Sequence, residues 1–132
     1  WFLANCDNVD NVVAFITKSV QAELREIYPG VLPEEETSLS ESLSRIKHIV
    51  GQKFIIIIDE WDVLIRDEAA NKKVQEKYIN FLRAMFKGTE PTKYIQLAYL
   101  TGILPIKKEK TQSALNNFDE FTMLDAGEIL RV

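Results

Sequence analysis

The strongest hydrophobic pattern in the chain is the apolar run Phe54–Ile58, which is followed at once by Asp59 and Glu60. Consecutive isoleucines leave no polar side chain for a solvent-facing side, and short β-branched runs of this kind are typical of strands covered on both faces. The pattern therefore predicts a central strand of a parallel sheet, buried on both sides, that ends in two carboxylates.

Two helices are predicted before this strand. The first begins with Asp10 as its N-cap and ends at residues 28–30, because its apolar residues recur at three- and four-residue steps. The second is opened by a capping box of Ser38 and Glu41 and is closed by Gly51. The predicted apolar faces are Val13, Ile16, Val20, Leu24 and Ile27 in the first helix, and Leu39, Leu43, Ile46 and Ile49 in the second.

A long helix and a second strand are predicted after the isoleucine run. The helix covers about residues 67–86, and the strand covers Tyr94–Leu100 and ends at Thr101 and Gly102. The core stripe of this helix is Val74, Tyr78, Phe81, Leu82 and Met85. Residues 1–4 are interpreted as the end of a further strand. Helices that alternate with buried strands predict an α/β fold with a parallel sheet, formed as a single domain over residues 1–132.

Composition narrows the class of protein. The chain has 16 basic and 20 acidic residues and a net charge of −4, so we expect no direct binding of nucleic acid by this chain. A single cysteine, Cys6, excludes an internal disulfide and is expected to be a small buried residue in a cytoplasmic protein. The single histidine, His48, is expected at the surface. No apolar run approaches the roughly 20 residues that cross a bilayer, so no membrane association is expected.

The ends of the two predicted strands carry the candidate chemistry. Ligands of open parallel sheets bind at the carboxyl ends of the strands, and strands of one direction end at one edge. Thr101 is therefore predicted to lie beside Asp59 and Glu60. An apolar strand that ends in two acids looks like a Walker B segment, in which the acids serve metal and phosphate chemistry. The alternative for these two acids is an ordinary turn after a strand.

Two separated parts of the sequence together resemble a known family. The segment Phe54–Asp62 and the runs Leu100–Lys108 and Gln112–Phe121 closely resemble the AAA-ATPase-like proteins of bacteria. This resemblance implies a three-layer parallel sheet of the P-loop NTPase type (AAA/STAND-like), with ATP and Mg²⁺ as ligands. In many members of that family a restriction-type nuclease domain follows the ATPase domain.

The resemblance also implies roles for individual residues. Asp59 would hold Mg²⁺ through its water shell, Glu60 would be the catalytic residue that positions the hydrolytic water, and Thr101 would be the sensor that contacts the γ-phosphate or that water. Trp61 and Asp62 match the family pattern as well, but they are interpreted as a packing aromatic and a helix-capping acid. For the pair Lys107 and Lys108, we favour a solvated basic turn over a contact with phosphate.

The sequence departs from the family pattern in one essential element. The phosphate-binding loop G-x-x-x-x-G-K-[ST] does not occur among the 132 residues. Without its backbone amides, lysine and hydroxyl, nothing in this chain neutralises the phosphates or completes the Mg²⁺ shell. We therefore expect a fragment that carries the Walker B and sensor half of an ATPase and that does not hydrolyse ATP by itself.

Two other functions stay open at this point. The chain could be a degenerate ATPase fold that acts as a non-enzymatic protein-interaction module, because loss of the loop by degeneration and by truncation look alike. The carboxylates of Asp59, Glu60 and Asp62 could instead form the metal site of a nuclease, since hard oxygen ligands suit Mg²⁺. If a partner of the isoleucine strand is missing, its exposed flank would also favour self-association of the chain.

Overall fold

The computed structural model describes residues 11–35, 37–66, 71–104, 115, 118 and 119 of the 132-residue chain. These residues form helices and parallel strands, which confirms the predicted α/β class. The elements in chain order are α1 (Val12–Ile27), α2 (Leu39–Val50), β1 (Phe54–Ile58), α3 (Val63–Arg66), α4 (Lys72–Phe86), α5 (Pro91–Tyr94) and β2 (Ile95–Leu100).

The two strands pair in parallel and form one small sheet. At the start of the sheet Phe54 lies opposite Ile95, and at its end Ile58 lies opposite Leu100. The register shifts between Phe54 and Ile55. The predicted second strand was one residue too long, because Tyr94 belongs to the short helix α5 that Pro91 opens. In the described part of the chain β1 pairs with β2 alone, so the central position predicted for β1 does not appear there.

Local sequence signals fix the ends of the second helix as predicted. Ser38 accepts a hydrogen bond from the backbone N–H of Glu41, and the Glu41 carboxylate accepts one from the backbone N–H of Ser38, which is a complete capping box. Gly51 ends α2 in the left-handed conformation with a φ of 83°. Helix α1 has Asn11 as its N-cap, and Asp10 lies outside the described residues.

The long helix after β1 begins later than predicted. The sequence predicted a helix from about residue 67, whereas α4 begins at Lys72, and residues 63–66 before it form the separate short helix α3. Asn71 caps α4, because its side chain accepts a hydrogen bond from the backbone N–H of Val74. The predicted stripe of α4 does face the core: Val74, Tyr78, Leu82 and Met85 are buried, and Phe81 is partly buried against them.

One face of the sheet is exposed, and this corrects the prediction of a strand buried on both sides. Ile55 and Ile57 of β1 are 63% and 70% exposed, and their partners Leu97 and Tyr99 of β2 are 56% and 60% exposed. The opposite face, with Phe54, Ile56 and Ile58, packs against the core. An apolar sequence shows that a face can be covered, but it does not show that anything in this chain covers it.

Two helix positions predicted for the apolar faces are also exposed. Ile27 at the end of α1 and Ile49 near the end of α2 are 65% and 54% exposed. A cavity of about 450 Å³ runs along β1 and is lined by apolar side chains of α1, α2 and α4. His48 is exposed, as predicted.

Candidate functional site

The candidate site lies where the two strands end. The residues after β1, 59–62, form the acidic loop, and the residues after β2, 101–104, form the threonine loop. The backbone N–H of Thr101 donates a 2.9 Å hydrogen bond to the carbonyl of Ile58, so the parallel ladder continues one residue past the strands. This last hydrogen bond of the ladder holds the two loops side by side. The sequence predicted that Thr101 lies beside Asp59 and Glu60.

The hydroxyl of Thr101 joins both candidate acidic residues. It donates a short hydrogen bond to Oδ1 of Asp59, and it accepts a 3.1 Å hydrogen bond from the backbone N–H of Glu60. The side chains of Asp59 and Glu60 are exposed, while Thr101 is half-buried. A carboxylate, a hydroxyl and a second carboxylate thus share one accessible edge of the sheet, which is a set of hard oxygen donors that suits Mg²⁺ and its waters.

Glu60 holds an unusual backbone conformation. Its φ is 52°, and within the described residues it is the one non-glycine residue with a positive φ. For an ordinary side chain this region costs about 1–2 kcal/mol, so the surrounding contacts must maintain it. One of these contacts is the 2.9 Å hydrogen bond from the backbone N–H of Trp61 to the carbonyl of Thr101.

Trp61 is a packing aromatic, as predicted. Its side chain is 2% exposed, and its carbonyl accepts a 2.6 Å hydrogen bond from the hydroxyl of Tyr78 on α4. Burial, and after it the negative charge of Asp62, raises the pKa of the Tyr78 phenol above its ordinary value. The phenol is therefore neutral at physiological pH and acts as a donor that fixes the acidic loop to α4.

Asp62 does not cap a helix with its side chain, and this prediction is wrong. Its carboxylate is fully buried, and Oδ2 accepts hydrogen bonds from the backbone N–H groups of Ile103 at 3.0 Å and Leu104 at 2.7 Å. The same oxygen accepts a 3.0 Å hydrogen bond from Nε of Arg66. The partners on the threonine loop lie 41 and 42 residues away in sequence, and no local pattern predicts such a contact.

The nuclease-type metal site is not formed. Asp62 faces the threonine loop and Arg66, so its carboxylate does not join those of Asp59 and Glu60 in a common cluster. Among the residues that the structure describes, no group of three or more histidine, cysteine, aspartate or glutamate side chains could hold a metal ion. Lys107 and Lys108 lie outside the described residues, so their predicted turn stays a prediction.

The fold and the site define an α/β protein whose two parallel strands present acidic and hydroxyl side chains at their shared carboxyl edge. Residues 3–111 match the model of the AAA-ATPase-like family, described as predicted AAA-ATPase, and the chain therefore belongs to this family. Comparisons with curated proteins and with solved structures give no match. No helix in the described ranges is both long enough and apolar enough to cross a membrane.

Proposed function

We propose that this chain supplies the Walker B and sensor part of a site that binds and hydrolyses ATP. The observation that carries the proposal is the position of the Thr101 hydroxyl, which bonds to Asp59 and to the backbone of Glu60 at the carboxyl edge of the sheet. Membership of the AAA-ATPase-like family supports the same function. The complete sheet would be of the three-layer P-loop NTPase type, with further strands beside β1.

Each of the three residues has a separate task in this proposal. Bound Mg²⁺ would supply charge neutralisation for the β- and γ-phosphates of ATP. Asp59 would hold the ion through its water shell with its exposed carboxylate, while Glu60 would accept a hydrogen bond from the attacking water and align it. Thr101 holds Asp59 in place and reports on the γ-phosphate through its hydroxyl.

The phosphate cradle has to come from outside these 132 residues. The sequence has no G-x-x-x-x-G-K-[ST] loop, and backbone amides with a lysine are what neutralise the phosphates in this class of ATPase. We therefore expect the isolated chain to be inactive, with neither ATP nor Mg²⁺ tightly bound. The cradle would belong to another part of the natural protein.

The test compares the full-length natural protein with this chain in ATP binding and Mg²⁺-dependent hydrolysis. The proposal predicts binding and hydrolysis by the full-length protein and neither by the chain alone. Failure of the full-length protein to bind any nucleotide would contradict the proposal. Hydrolysis by the chain alone would contradict the assignment of the cradle to another part of the protein.

A second candidate function rests on the exposed sheet face. Ile55, Ile57, Leu97 and Tyr99 form a contiguous apolar surface on one side of β1 and β2. Large exposed apolar patches mark interaction sites or surfaces that associate. A degenerate ATPase fold that acts as a protein-interaction module would use such a face, and in the isolated chain it favours self-association. ATP binding by the full-length protein separates this alternative from the first proposal.

A further inference from the structure

A buried carboxylate joins the acidic loop to the threonine loop at a point beyond the proposed catalytic groups. Asp62 is fully buried, yet its Oδ2 accepts three hydrogen bonds, two of them from consecutive backbone N–H groups of the threonine loop. Hydrogen bonds to a charged acceptor are roughly twice as strong as neutral ones. The carboxylate therefore anchors the threonine loop at Ile103 and Leu104.

The contact leaves no space for a side chain at position 102 of the threonine loop. A Cβ atom placed on Gly102 would lie 2.5 Å from Nε1 of Trp61 and 2.9 Å from Oδ1 of Asp62. The second oxygen, Oδ1, has no hydrogen-bond partner among the described residues, so it is held against Gly102 by the bonds that Oδ2 makes. Such close approach of a loop to a buried side chain is possible only at glycine.

The same two loops carry the groups proposed for ATP hydrolysis. Thr101 directly precedes Gly102, and its hydroxyl and carbonyl accept hydrogen bonds from the backbone N–H groups of Glu60 and Trp61. These two hydrogen bonds lie on either side of the Glu60 Cα, the position that has the positive φ of 52°. Among the described residues, Asp62 makes no hydrogen bond to Asp59 or Glu60. It holds the far end of the threonine loop, whose first residue, Thr101, does bond to both.

We infer that Asp62 is a positioning residue: through Ile103, Leu104 and the close contact with Gly102, it locks the threonine loop so that Thr101 stays against Asp59 and Glu60. The kinetic consequence rests on the proposed ATPase function, whereas the structural consequence does not. The lock acts on the arrangement of the catalytic groups, and Asp62 itself does not touch the nucleotide.

The structural test is amide hydrogen exchange in the full-length protein and its Asp62→Ala variant. Faster exchange is expected at Ile103 and Leu104, which lose their acceptor, and also at Glu60, whose partner is the Thr101 hydroxyl. The amide of Thr101 is the internal control, because it bonds to the carbonyl of Ile58 and stays protected. Unchanged exchange at Glu60 would overturn the inference, since it would mean that Asp62 stabilises only its own contacts.

Two milder variants keep the test decisive if Asp62→Ala does not fold. Asp62→Asn retains an acceptor oxygen and the volume but removes the charge. Gly102→Ala retains the carboxylate and pushes the threonine loop away from Trp61 and Asp62. Both variants should speed exchange at Glu60, and Gly102→Ala should do so even though every hydrogen-bonding group is still present. Glu76→Gln, the loss of an exposed acid on α4, is the matched control and should change nothing.

The kinetic test measures ATP hydrolysis by the same proteins. If Asp62 positions the catalytic groups, Asp62→Asn and Gly102→Ala should lower kcat about 10- to 100-fold and leave KM for ATP nearly unchanged. Misplacement of a catalytic group by about 1 Å has effects of this size. Faster exchange at Glu60 with an unchanged kcat would overturn the positioning role. A wild-type protein without hydrolysis would contradict the proposed function, and the exchange result would still decide whether Asp62 is the lock.

Discussion

Single residues determine how the two loops meet, and some of these contacts follow from sequence. That Thr101 lies beside Asp59 was predictable, because both directly follow strands and parallel strands end at one edge. The role of Asp62 was not predictable, because its backbone partners are distant in sequence and every residue type except proline can donate a backbone N–H. A third acid three positions after Asp59 was the one available signal, and it also fits an ordinary helix start.

Tyr78 gives a prediction at this scale. Replacement by phenylalanine leaves the buried carbonyl of Trp61 without its donor, and we expect the free energy of unfolding at neutral pH to fall by about 1–3 kcal/mol. Urea denaturation followed by fluorescence measures this change. Phe81→Leu, a change in a partly buried neighbour without a hydrogen bond to the loop, is the comparison that separates loss of the bond from a change in packing.

The same tyrosine predicts a pH dependence. Its pKa is raised in the folded protein, so between the ordinary value near 10 and the raised value the unfolded chain loses a proton that the folded chain keeps. Stability therefore falls as the pH rises above about 10, and Tyr78→Phe should show a shallower fall. Tyr94, whose pKa is raised by burial and by Glu90, remains in both proteins and contributes equally. An equally steep fall of the free energy of unfolding with pH in wild type and Tyr78→Phe would contradict the prediction.

Helices and strands were predicted correctly where the local sequence signals are strong. The capping box, the left-handed glycine and the apolar period placed α2 correctly, because each acts through neighbours a few residues apart. The start of the long helix was predicted too early, at about residue 67 rather than at Lys72, since the N-cap Asn71 is a single polar residue in a polar stretch. Tyr94 was assigned to the strand because aromatic residues favour strands, but Pro91 begins a helical turn that includes it.

The cap of α2 is the element that single changes can test. Ser38→Ala removes the acceptor for the Glu41 N–H, and we expect a loss of about 1 kcal/mol of stability at neutral pH. Ser44→Ala, on the exposed side of the same helix, should leave stability nearly unchanged. Equal effects of the two changes in thermal or urea unfolding would contradict a capping role.

Protonation of Glu41 should act on the same cap. Its hydrogen bonds with the backbone and side chain of Ser38 lower its pKa in the folded protein. A lowered folded-state pKa gives stability that is present above the unfolded value and is lost as the pH falls through the folded value. The difference in stability between wild type and Ser38→Ala should therefore shrink as the pH is lowered below about 4.

On the scale of the whole molecule, the sequence predicted the α/β class but not which surface of the sheet is covered. The isoleucine run is compatible with two covered faces, and the described residues cover one. Ile55 and Ile57 therefore expose apolar surface that burial would stabilise by up to about 1.5–3 kcal/mol for each side chain. The isolated chain should bind a hydrophobic dye and associate with increasing concentration.

A pair of substitutions tests this surface. Ile55→Thr with Ile57→Thr keeps the β-branched shape that suits a strand and removes apolar area, so dye fluorescence and association should both decrease. Ile27→Thr removes a similarly exposed apolar side chain from the end of α1, and it should leave both readouts unchanged. A wild-type chain that elutes as a monomer at every concentration and binds no dye would contradict the expectation.

The central claim is that Glu60 aligns the attacking water in an ATPase site. The most direct measurement is ATP binding and Mg²⁺-dependent hydrolysis by the full-length protein and its Glu60→Gln variant, with Glu76→Gln as the control for loss of an exposed acid. Glutamine keeps the length of the side chain and removes the charge. The account predicts hydrolysis lowered about 100-fold or more with ATP binding retained. Hydrolysis at the wild-type rate in Glu60→Gln would contradict it.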